Sequence, residues 1–173
     1  MNYTTQLLKE HSRSNTDKIA KAIGNEPVEF KKIIDIIYNE KEPLPQRASW
    51  LLATVNDIHP ELLEPYLKLF IDTIKKFKIG APKRNMINVL AAHEIPEKLQ
   101  GRLTNLCFDL MLSLDEPVVV KVHAMQCIAN LAKEHPELIA ELKAAIEDQL
   151  PKTTAAFSAR ARLVLKKLKA AQN

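Results

Sequence analysis

Glycine is scarce: three residues in 173, where ordinary usage of about 7% would supply roughly four times as many. That leaves few of the backbone positions that hairpin turns and phosphate-cradling loops require. Aromatic residues are only 5% of the chain, and cysteine occurs twice, at Cys107 and Cys127. Two cysteines are too few for a disulfide scaffold. No apolar run reaches the roughly 18 residues of a membrane-spanning helix, so no membrane partner is expected. The segment from Met1 to Gln6 lacks the basic-then-apolar layout of a signal peptide, and the expected location is cytoplasmic. What is present is 46% hydrophobic residues, 27% charged residues and ten prolines. This composition fits one all-α domain over residues 1–173, built from helices that prolines punctuate.

The charges are unevenly spread. The formal net charge is +4, from 25 basic and 21 acidic residues. Residues 151–173 carry six basic side chains (Lys152, Arg160, Arg162, Lys166, Lys167, Lys169) and no acid. Five more stand between Lys75 and Arg84, again without an acid, so the rest of the chain has 14 basic against 21 acidic residues. Basic zones on an otherwise acidic chain attract acidic partners locally, whatever the net charge.

An internal repeat is visible. His59-Pro60-Glu61-Leu62-Leu63 returns 76 residues later as His135-Pro136-Glu137-Leu138-Ile139. Ile95-Pro96-Glu97-Lys98-Leu99 lies halfway between them, and Pro27-Val28-Glu29-Phe30 extends the series backwards. Proline is tolerated at the first position of a helix, and glutamate favours its positive end. Leu99, Leu103, Leu106 and Leu110 then recur with helical spacing. Helices are predicted near 3–11, 16–24, 27–40, 45–58, 60–78, 82–94, 96–113, 117–134, 136–150 and 155–171, with Pro65 kinking the fifth or marking its true start. The β-branched run Val118-Val119-Val120 opens an apolar stretch too long for a strand, and reads as a buried helix. Leu52, Phe70, Leu90, Leu106, Cys107, Met125, Ile128, Leu142 and Leu163 are the expected core.

The segment Asp115-Glu116-Pro117-Val118-Val119-Val120-Lys121-Val122-His123-Ala124 resembles the first-helix pattern of the HEAT/armadillo superfamily of helical repeats. That pattern runs acid, proline, valine beside a basic residue, then a small residue three positions on. The basic position recurs as Arg47, Arg84, Lys121 and Arg160, at spacings of 37, 37 and 39. The resemblance covers roughly residues 16–171. It implies an α-α superhelix, a solenoid of about five antiparallel helix pairs without a β-sheet. Its units are approximately 16–40, 45–78, 82–113 and 117–150, followed by a terminal helix at 155–171. The family's aspartate, six residues before the basic position, is Asp115 in one unit; Lys41, Lys78 and Thr154 take its place in the others. Those basic residues are either solvated singly or form an unpaired cationic ladder.

Chemistry-bearing motifs are missing. Gly24, Gly80 and Gly101 are isolated, and the serines lack elbow glycines. Cys107 and Cys127 read as small buried hydrophobes. His59, His93 and His135 recur at the same corner of successive units, but helices 8–10 Å apart cannot bring them onto one ion. Trp50, among apolar neighbours, reads as a core residue. No catalytic, cofactor or metal residues are therefore assigned. Two binding functions stay open beside a structural role, in which the atypical ends serve as caps or as a dimer surface. One is a non-catalytic module docking a protein or peptide partner, acidic in character. The other is a nucleic-acid-binding protein similar to the HEAT-like alkylpurine DNA glycosylases. Arg47, Lys83, Arg84, Lys121, Arg160, Arg162, Lys166 and Lys167 are the candidate anion- or partner-binding residues in either case.

Overall fold

Side-chain caps and prolines set the helix starts. Asn2 accepts a hydrogen bond from the Thr5 amide and Ser12 from the Asn15 amide, each satisfying an orphan donor of a first turn. Pro27 occupies the first turn of its helix, while Pro96 and Pro117 stand one residue ahead of theirs. The computed structural model describes residues 1–78 and 80–171, without the side chain of Ala171. Among these residues there are ten α-helices and no strand, and the helices pack in sequential pairs.

The chain forms two compact units, Met1–His93 and Glu94–Asn173. The first contains α1 (Tyr3–Lys9), α2 (Arg13–Ile23), α3 (Pro27–Asn39), α4 (Leu44–Ile58), α5 (Leu67–Thr73) and α6 (Ala81–Ala92). The second contains α7 (Glu97–Leu112), α8 (Val118–Leu131), α9 (Leu138–Gln149) and α10 (Ala155–Ala171). The expected continuous helix at 60–78 is divided. Only α5 is α-helical; 3₁₀ turns at Pro60–Leu62, Glu64–Tyr66 and Ile74–Lys76 surround it. Pro60 and Pro65 supply no N–H to an α-helical ladder, which favours the shorter turns.

In the first unit α4 is the central helix and packs on α1, α2, α3 and α6. Its Ala48, Leu51, Leu52 and Val55 are fully buried, as are Phe30 and Ile33 of α3, Phe70 of α5 and Met86 of α6. A polar joint crosses this apolar seam, where Asn85 Nδ2 donates to Ser49 Oγ at 3.1 Å. The seven-residue α1 is tied at both ends. Tyr3 donates its phenol proton to Glu29 Oε2 at 2.5 Å, and Arg47 Nη1 donates to the carbonyls of Leu7 and Leu8 at 2.7 and 3.1 Å.

In the second unit α8 is central and packs on α7, α9 and α10. The Val118-Val119-Val120 run is helical, as its length requires. Met125 and Ile128 of α8 are buried, as are Leu103, Cys107 and Met111 of α7 and Leu142 and Ile146 of α9, the helices on which α8 packs. From α10, Phe157, Ala161, Val164 and Leu168 are buried at spacings of 4, 3 and 4. Of the expected core, Leu52, Phe70, Leu90, Leu106, Cys107, Met125, Ile128 and Leu142 are buried. Leu163 is not: it is 55% exposed. It falls between the members of the buried stripe, so its rotation about α10 turns it outward. Trp50 is half-buried instead of core, with its ring edge-on to His11 at 5.2 Å between centroids.

Candidate functional site

The eight basic candidates occupy very different surroundings. Arg47 is half-buried, and its guanidinium closes the end of α1 through the Leu7 and Leu8 carbonyls. Lys83, in the first turn of α6, is only 4% exposed and donates to the Lys78 carbonyl at 3.2 Å. Arg84, the next residue, is exposed, and its Nε reaches Asn85 Oδ1 at 3.4 Å. The basic zone at 75–84 is thus partly turned inward.

Lys121 is likewise an interior group. Its ammonium donates to Gln149 Oε1 at 2.8 Å, Gln149 donates onward to Asp148, and Lys152 closes the chain on the other Asp148 oxygen at 2.8 Å. Burial holds the Lys121 ammonium below the ordinary lysine range, while the charges of Glu116 and Asp148 act against that shift. The hydrogen bond from Lys152, and after it the one from Gln149, hold the Asp148 carboxyl below its usual range.

The remaining four cations lie on one element. Arg160, Arg162, Lys166 and Lys167 are all exposed on α10, and among the described residues none pairs with a carboxylate. Residues three and four apart are neighbours on a helix surface. Arg160 and Lys167 therefore flank the exposed Leu163, at three residues before it and four after, with Lys166 on its other side. Arg162 is adjacent in sequence and points elsewhere. Ala156 and Ala159 continue the Leu163 stripe towards the start of the helix.

These small side chains leave an open groove of about 590 Å³ between α10 and the first turns of α8. Val118, Val119 and Val122 form its α8 wall; Ala156, Ala159, Arg160 and Leu163 form the α10 wall. Val119 and Leu163 are the most exposed of the larger apolar side chains on it, at 40% and 55%. The sequence marks these cations as candidates but not the groove beside them. The phase of α10 was the available signal: Phe157, Ala161, Val164 and Leu168 define the buried stripe, and Leu163 is out of step with it.

The histidine corners are held by other side chains, some of them on another helix. His59 Nδ1 lies 3.3 Å from Glu61, and His135 Nδ1 lies 3.5 Å from Glu137, so the repeated His-Pro-Glu makes the same contact twice. His135 Nε2 also donates to Gln100 Oε1 at 2.6 Å, because Gln100 spends its own amide protons on Ile95 O and Glu134. His93 Nε2 meets Asn56 Oδ1 at 2.6 Å, and burial lowers its pKa. Among the described residues no group of three or more His, Cys, Asp or Glu is arranged to hold a metal ion. Cys107 and Cys127 are both buried, and burial together with the Cys127 thiol raises the Cys107 pKa.

Paired helices throughout, with a basic residue recurring near the start of α4, α6, α8 and α10, form a helical-repeat pattern, and the HEAT repeat domain profile matches residues 3–168. The chain belongs to the HEAT repeat domain family. Such domains are helical-repeat binding modules. No curated protein and no solved structure matches this HEAT repeat chain. Its recurrent basic position, occupied by Arg47, Arg84, Lys121 and Arg160, serves as an internal tie in two repeats and stands exposed in the other two. Among the described residues, no helix of this HEAT repeat domain is long and apolar enough to cross a membrane.

Proposed function

We propose that the chain is a non-catalytic HEAT module that docks a protein or peptide partner of acidic character. One observation carries this reading: the exposed face of α10 sets cations that pair with no carboxylate among the described residues beside the exposed Leu163, and α10 contains no acid. A polyanion backbone needs cations alone, whereas an acidic polypeptide uses both cations and an apolar surface. Arg160, Lys166 and Lys167 are the leading contacts, with Arg162 and Arg84 adding to the long-range attraction. Arg47, Lys83 and Lys121 keep the fold in place. The competing reading, a nucleic-acid-binding relative of the alkylpurine DNA glycosylases, needs an aromatic free to stack on a base. Trp50, half-buried against His11, is the only tryptophan in the chain.

The test is a titration of the full chain against labelled Glu-rich peptides and against duplex DNA, by fluorescence anisotropy over a range of salt. The peptides are expected to bind, more weakly as salt rises, with Arg84→Glu/Arg160→Glu reducing the association rate. Sub-micromolar DNA binding lost in the same double variant, without peptide binding, would overturn the proposal in favour of the competing one.

A further inference from the structure

We infer that the groove between α8 and α10 is the docking site for an acidic amphipathic helix of the partner, which seats a bulky apolar side chain between Val119 and Leu163. This rests on the function proposed above and locates it. The groove is open to solvent and lined mostly by apolar side chains. Ala156 and Ala159 are small enough to admit an incoming side chain, and Val118, Val119 and Val122 present an apolar wall opposite them. An α-helix that buries one stripe brings anchors at positions i, i+3, i+4 and i+7, the spacing that also sets Ala156, Ala159, Arg160 and Leu163 along α10.

Charge selects the occupant. The α10 rim is Arg160 and Lys167 on one side of Leu163 and Lys166 on the other, each exposed and none in an ion pair among the described residues. An incoming helix with glutamates beside the edge of its apolar stripe that faces α10 would meet these cations. A basic helix would meet like charges and be rejected. Lys152 of the same unit contributes little, since Asp148 already holds it at 2.8 Å. The apolar part of the groove accounts for why the partner needs more than acidity. Val119 and Leu163 gain burial only if an apolar side chain covers them.

The probe is a 16-residue helical peptide, about four and a half turns, with leucines on one stripe and glutamates flanking it. A control peptide replaces the leucines by serine at equal charge. The full chain is expected to bind the leucine peptide at least about tenfold more tightly than the serine peptide, a difference of about 1.4 kcal/mol. Leu163→Ser should lower that affinity about tenfold and erase the preference for leucine. Arg160→Glu/Lys167→Glu should lower it further and flatten the salt dependence, while Arg84→Glu, acting only at long range, should lower it far less. Because these side chains are exposed, the thermal midpoints should stay near that of the parent.

The outcomes separate the two proposals. Leucine-peptide binding that ignores Leu163→Ser but disappears with Arg84→Glu would overturn the groove assignment and leave an acidic-partner module standing. Absence of binding to any acidic peptide would overturn both. A second copy of the chain seated on the groove, seen as a dimer in sedimentation velocity that Leu163→Ser dissolves, would also overturn the inference. So would duplex DNA that competes the peptide away.

Discussion

Arg47 stands at the position where the repeat pattern suggests a partner-binding cation, and the fold uses it to close a helix instead. Two bonds to the last carbonyls of α1 cap groups that would otherwise lack a partner. Arg47→Ala should therefore cost about 1–3 kcal/mol in urea unfolding. It should also speed amide exchange in α1, which is too short to persist alone. Tyr3, at the other end of α1, carries a pH signature. Burial first, and its bond to Glu29 second, raise its phenol pKa from 10.0 to about 12. The native state thus holds the proton more tightly than the unfolded chain does. The resulting stability is complete below about pH 10 and is lost as pH rises from about 10 towards 12. Tyr3→Phe should lack this decline when urea midpoints are compared across that window. None of this was legible in the sequence, because a lone arginine or tyrosine has no pattern that discloses a contact with another helix. Lys121 shows the same limit. Its place in the HEAT-like segment was evident, but its bond to Gln149, 28 residues away, depends on how α8 meets α9.

Periodicity exposed most of the helices, including the apolar α8 that its valines could have disguised as a strand. The fifth element departed because two prolines in six residues favour 3₁₀ turns over one continuous α-helix. Leu163 was misplaced for a different reason. Counting apolar residues on α10 makes it look internal; phasing them against Phe157, Ala161, Val164 and Leu168 turns it outward. The groove follows from that rotation, so it was readable in principle from the sequence of α10 but not from its composition. At the centre of the second unit, Ile128 has no exposure and lies on the helix that touches α7, α9 and α10. Ile128→Ala should cost about 2–5 kcal/mol in chemical denaturation, as deletions in a close-packed interior do. Leu163→Ala, on the same unit's surface, should change stability by less than about 0.5 kcal/mol.

Across the molecule, charge is segregated along the chain. Residues 94–150 have five basic and ten acidic side chains, while 151–171 have six basic and none acidic. The family and its paired helices were readable from the recurring prolines and basic positions, since each repeat reuses one local solution to helix initiation. The division into units of 1–93 and 94–173 was not, because no glycine-rich or polar linker marks it. Within each unit the central helix packs on helices close to it in the chain: α4 on α3 and α6, α8 on α7 and α9. That arrangement has a kinetic consequence. Bringing such neighbours together closes only short loops, so little chain entropy is lost before native contacts begin to form. The dominant refolding phase after dilution from denaturant should therefore finish within about milliseconds, in the range of helical proteins with local contacts. Stopped-flow fluorescence of Trp50, whose ring packs beside His11 only when α1, α2 and α4 are assembled, would follow it; a dominant phase lasting seconds would show that distant contacts govern the barrier.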